Sequence, residues 1–188
     1  MYKHFLFISF ILFGITSSTS QTIQDVSRRI KKNVVVVESK KLEQNEFNSF
    51  GFGFIIGEQD NHLYIATAAH IVIGDNHDIP LGKTETRIKI AGRVDYEDAI
   101  PLRPTGDFPI DQDDVLILQV KKSGRVSWEE EAQSFNADRE REVTVIGLGG
   151  NPTIVLNSGS IINKIGAQIT TDISGVVRGC SGAPIIDC

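Results

Sequence analysis

A succession of short β-branched or alternating apolar runs, each closed by Gly, Asn, Asp or Pro, constrains this chain more than any other feature of its sequence. The runs are residues 34–38, 50–56, 62–68, 86–91, 114–120, 142–147, 154–156, 160–165, 168–172 and 183–186. Strand-length runs with turn residues between them predict antiparallel sheets, in a barrel or sandwich. A parallel βαβ architecture needs a helix-length periodic segment between successive strands, and these intervals have none. The one helical period lies in front of the strands, where Ile23, Val26 and Ile30 recur at three and four residues between Gln21 and Asn33. That spacing predicts a short N-terminal helix with one buried stripe, its Arg28, Arg29, Lys31 and Lys32 facing water.

The 188 residues, 40% of them hydrophobic, suffice for one compact domain or for two small barrels that share an interface. The first twenty do not belong to it. An apolar run from Phe5 to Ile15 stands behind Lys3 and before Thr16-Ser17-Ser18-Thr19-Ser20. A bilayer span takes about 20 apolar residues, so this shorter run reads as a secretory signal over 1–20 with cleavage after Ser20. The domain is then 21–188, exported to the periplasm or secreted, with no stable membrane anchor after cleavage. Within it, residues 121–141 are the least strand-like and read as a linker between a first barrel at about 33–120 and a second at about 142–188.

Formal charge is −5, and losing Lys3 with the signal makes the remainder more acidic still. That disfavours a nucleic-acid partner, because a polyanion is held by clustered Lys and Arg. Two cysteines, Cys180 and Cys188, are too few for a disulfide-dense scaffold, so the core must stabilise the fold. A metal site built from His62, His70, His77 and nearby aspartates lacks ligand spacing, and nothing implies a cofactor.

Three segments carry chemistry. In Arg178-Gly179-Cys180-Ser181-Gly182-Ala183-Pro184 a serine stands between glycines. Such a turn exposes a hydroxyl and can aim the N–H groups of Gly179 and Ser181 at an oxyanion beside it, although Gly and Ser also make ordinary turns. Serine is a weak nucleophile and needs a base. His70 ends the apolar run Tyr64-Ile65-Ala66-Thr67-Ala68-Ala69, whose small residues let a rigid element hold an imidazole at a cleft. Asp114 opens the hydrophobic run Val115-Leu116-Ile117-Leu118, and strand alternation favours it over Asp113 as the carboxylate that orients the ring.

Together these segments resemble the trypsin-like serine protease family, and within it the HtrA-type bacterial branch. Thr67-Ala68-Ala69-His70, Asp114-Val115-Leu116-Ile117-Leu118 and Gly179-Cys180-Ser181-Gly182-Ala183-Pro184 match the family's histidine, aspartate and serine motifs in order. Phe50-Gly51-Phe52-Gly53-Phe54-Ile55-Ile56 looks like the family's glycine-containing strand, and Val145-Ile146-Gly147, Asn157-Ser158-Gly159-Ser160 and Thr170-Thr171-Asp172 resemble its second barrel. The resemblance implies two six-stranded antiparallel barrels. It also implies peptide hydrolysis through an acyl-enzyme, with His70, Asp114 and Ser181 as triad, Gly179 and Ser181 as oxyanion hole, and protein or peptide substrates.

The match has departures. Cys180 stands where digestive proteases carry an aspartate, so activation through a freed N-terminus is not expected. A cysteine nucleophile of this fold would be followed by glycine, whereas Cys180 is followed by Ser181. Ala183 replaces a second glycine, which requires a backbone without positive φ there. Residues 182–188 are all that follow the serine, so the second barrel is expected to be incomplete, and a non-catalytic scaffold or remnant is the alternative to an endopeptidase. Gly175, Val176 and Val177 are expected to line a substrate pocket for a small or medium apolar side chain.

Overall fold

The computed structural model describes residues 29–74, 79–102, 114–128, 142–148, 153–165, 168–174 and 180–187. The expected signal segment and most of the expected N-terminal helix lie outside these, as do His77, Asp113, most of the expected linker, residues 175–179 and Cys188. What is described is all-β with little helix. Six strands, β1 (Val34–Lys41), β2 (Ser49–Gln59), β3 (His62–Ala68), β4 (Thr84–Ile90), β5 (Glu97–Leu102) and β6 (Val115–Lys121), close an antiparallel barrel in the order β1-β2-β3-β6-β5-β4. Closure removes the exposed edges that an open sheet would present.

Alternation along the strands fills the barrel. Val35 and Val37 of β1, Ile55 of β2, Leu63 and Ile65 of β3, Ile88 and Ile90 of β4, and Leu116, Leu118 and Val120 of β6 form one buried cluster. The β2–β3 hairpin turns on Asp60 and Asn61, both at positive φ, which is the two-residue turn whose twist suits paired strands. Beyond β6, Val126 joins the same core and Trp128 packs against it, so the first residues of the expected linker belong to the barrel wall.

A second sheet comprises β7 (Glu142–Leu148), β8 (Thr153–Ile165), β9 (Gln168–Thr171) and β10 (Ile185–Asp187) in the order β10-β7-β8-β9. The runs 154–156 and 160–165, separate in the sequence reading, are one strand, because β8 pairs with β7 up to Ser160 and then with β9 from Ile161 onward. Val34 and Val36, on the outer row of β1, cluster with Ile30 and Phe52. Ala183 packs both on that cluster and on Val143 and Ile161 of the second sheet, with Ile173 just beyond β9. The segment just after Ser181 thus forms the seam between the sheets.

Candidate active site

His70 lies in α1 (Ala69–Ile73), a five-residue helix that begins where β3 ends. Ile71, Val72 and Ile73 are buried in the barrel core, which anchors the helix and leaves the imidazole at the surface of a cleft. Gly74 ends it at φ 83 and donates its N–H to the His70 carbonyl at 3.0 Å. Ala68 supplies no side-chain cap at the N-terminus of α1. Asp114 takes that place from across the sheet. Its carbonyl accepts the Ala69 N–H at 2.9 Å, its Oδ1 accepts the His70 N–H at 2.9 Å, and its Oδ2 is 2.6 Å from His70 Nδ1.

A carboxylate only accepts, so Nδ1 carries the proton and the neutral ring presents Nε2 as an acceptor. Nε2 lies 2.8 Å from Ser181 Oγ, and the serine hydroxyl donates to it. Ser181, His70 and Asp114 therefore form one continuous hydrogen-bonded chain, half-buried throughout. Asp114 reaches both targets because its φ is 46, in the left-handed region, immediately before β6 begins. Strand alternation, the ground on which the sequence favoured it, does not aim it.

The serine turn is seated on β2. The Phe52 N–H donates to the Ser181 carbonyl at 2.8 Å, and the Ala183 N–H to that of Cys180 at 3.0 Å. Gly182 has φ 75, and a Cβ there would overlap the Phe52 carbonyl oxygen. The buried Thr67 hydroxyl donates to that same oxygen at 2.7 Å, so the rung beneath Ser181 is held from both sides. A Cβ on Gly51 would sit 2.6 Å from the Ser181 carbonyl oxygen, which makes this glycine a requirement of close approach. Ala183 is not among the positive-φ residues, which satisfies the condition its replacement of glycine imposes.

This geometry invites comparison with solved structures. The crystal structure of Deg5 matches with a TM-score of 0.61 and 19% identity, over 87% of this chain and 78% of that one. The barrel is trypsin-like in fold. No protein-family model matches the sequence, and no curated protein does. At such identity the likeness speaks for the fold alone.

The structure brings His70, Asp114 and Ser181 together. Gly179, the second oxyanion donor in the sequence reading, and Gly175, Val176 and Val177, its expected pocket, lie outside the described residues. Cys180 is buried, and Cys188 also lies outside them. Sequence reasoning missed Thr67 and Gly51 as supports of the serine turn. Their signal was present in motifs already singled out, but which backbone each side of β2 would meet is a tertiary matter.

Proposed function

We propose that this protein is an exported serine endopeptidase that cleaves peptide bonds through an acyl-enzyme. The observation that carries the reading is the unbroken hydrogen-bonded chain from Asp114 Oδ2 through both His70 nitrogens to Ser181 Oγ. In the first step the Ser181 oxygen attacks the scissile carbonyl carbon while its proton passes to His70 Nε2. Asp114 stabilises the imidazolium so formed and keeps its ring oriented, without taking the proton. The N–H groups of Ser181 and Gly179 are assigned to the oxyanion. His70 then gives the proton to the leaving amine as the C–N bond breaks, and water, deprotonated by the same nitrogen, releases the acid and restores the serine.

The trypsin-like barrel and the resemblance to HtrA-type motifs support this reading against a non-catalytic scaffold. A barrel kept only for binding has no use for a hydroxyl, an imidazole and a carboxylate in this register. The test is covalent labelling with a fluorophosphonate. The wild-type chain is expected to label at Ser181, and Ser181→Ala and His70→Ala to lose the label. A folded wild-type protein that takes no label would sink the proposal.

A further inference from the structure

Beside the catalytic chain, with His70 in its wall, lies a cavity of about 250 Å³. Its walls include His70 and Ile71 of α1, Ser39 and Lys41 at the end of β1, Gln44 of the loop that follows, and Ser49 where β2 begins. Ligand sites for whole small molecules usually run from about 300 Å³ upward, so this space is sized for a single side chain. Ser181 is not part of its wall. Because His70 must reach the leaving amine, a cavity that shares His70 but not the nucleophile faces the part of the substrate beyond the scissile bond.

Among the described residues of its wall the ionisable side chains are Lys40, Lys41 and His70, and none is a carboxylate. Lys40 is already engaged, with Nζ 3.1 Å from Glu85 and 5.0 Å from the Phe47 ring centroid. Lys41 is half-buried, and among the described residues no carboxylate pairs with its ammonium. Its backbone N–H donates to Gln44 Oε1 at 3.2 Å, which ties the loop to the strand and fixes where the side chain starts. Register places Lys41 with Val35, Val37 and Ser39 on the inward row of β1, at the rim where α1 covers the barrel.

We infer that Lys41 is a specificity-determining residue that selects an acidic side chain at the first or second position after the scissile bond. The inference rests on the proposed peptidase reading and deepens it. A substrate carboxylate in the cavity faces the Lys41 ammonium, with Ser39, Gln44 and Ser49 as polar neighbours. The attraction grows as His70 becomes cationic, so it is felt in the transition state and appears in kcat/KM.

The test digests a mixed peptide library and maps the cleaved bonds by mass spectrometry, with fluorophosphonate labelling of the same preparation as a parallel readout. Wild type is expected to enrich Asp and Glu over Asn and Gln by roughly three- to tenfold at one of the two positions, the span between an exposed ion pair and a charge-assisted hydrogen bond. Lys41→Gln is expected to abolish that enrichment and Lys41→Glu to turn it towards Lys and Arg. These are ratios within each variant, so an altered amount of folded enzyme does not imitate them. A labelled enzyme that cleaves the library without acidic enrichment, or whose enrichment persists in Lys41→Gln, overturns the inference and leaves the peptidase reading standing. A preparation that neither labels nor cleaves overturns both.

Discussion

Asp114 does more at the residue scale than orient a ring. Three hydrogen bonds run from it to the first two residues of α1, so one aspartate both caps the helix and fixes the imidazole tautomer. Asp114→Asn is expected to preserve the fold, because an amide oxygen can still accept the His70 N–H. It is expected to lower kcat by about 10⁴, since the amide group facing Nδ1 favours the wrong tautomer. Burst and steady-state kinetics on an active ester would read this, and a loss under tenfold would argue that Asp114 is not the orienting group. Gly182→Ala combines a left-handed φ with an overlap onto the Phe52 carbonyl. Strain at such positions costs about 1–3 kcal/mol before the overlap is counted. That variant is expected to lose Ser181 labelling together with thermal stability. The sequence identified Asp114 correctly as the residue that meets His70, but for a reason the backbone does not follow. Left-handed φ at a non-glycine leaves no mark in apolar alternation.

Among elements, β5 shows where pattern reading fails. Glu97–Leu102 carries two acids and Pro101, and only Ala99 is buried, so no period of two stands out. The strand exists because β6 supplies a ladder from Ala99 to Leu102 after β4 has paired only up to Ala99. Pro101 therefore has one neighbour, and its missing N–H costs no rung on the other side. α1 escaped notice for a related reason, since five residues are too few to display a helical period.

Outside the barrel the β1–β4 wall carries a compact cluster. The Arg87 guanidinium lies 3.8 Å from the Phe47 ring centroid and 4.0 Å from that of Tyr96, and its Nε and Nη2 donate to Glu38 Oε2 at 2.8 and 2.6 Å. The Tyr96 hydroxyl donates to Glu38 Oε1 at 2.7 Å. Burial, and next that bond to the carboxylate, push the Tyr96 phenol above its ordinary 10.0. Because the folded state holds this proton more tightly, the contribution is whole below pH 10 and is lost as pH rises through the raised value. Tyr96→Phe is thus expected to lose about 0.5–1.5 kcal/mol in urea unfolding at pH 7, with the gap to wild type narrowing above pH 10. A gap of constant size across that range would show that the hydroxyl proton is not involved.

For the whole molecule, the two sheets contribute unequally among the described residues. The closed barrel surrounds a large buried cluster, whereas Val143, Ile161 and Ile173 form a much smaller one beneath the second sheet. Amides of β1, β3 and β6 are expected to exchange only through global unfolding, and those of β8 and β9 through smaller openings. Uniform protection across both sheets in native-state hydrogen exchange would contradict this. Leu118→Ala, in the middle of the barrel, is expected to cost about 2–5 kcal/mol in denaturant unfolding. The Val34-Val35-Val36-Val37 run takes its meaning at this scale. Val35 and Val37 face the barrel core, while Val34 and Val36 cluster with Phe52 and Ile30 beside Ala183, so the strand is buried on both faces and loses its alternation. By itself the sequence determined the all-β class, most strand positions and the three residues that meet at the site, because apolar period and turn chemistry are local and the motifs are contiguous. Only the tertiary structure decided what aims those residues: Asp114 capping α1 from across the sheet, β2 bearing the serine turn, and β6 supporting a strand that has no pattern of its own. Each of these depends on which backbone lies alongside, and chain closure over tens of residues sets that.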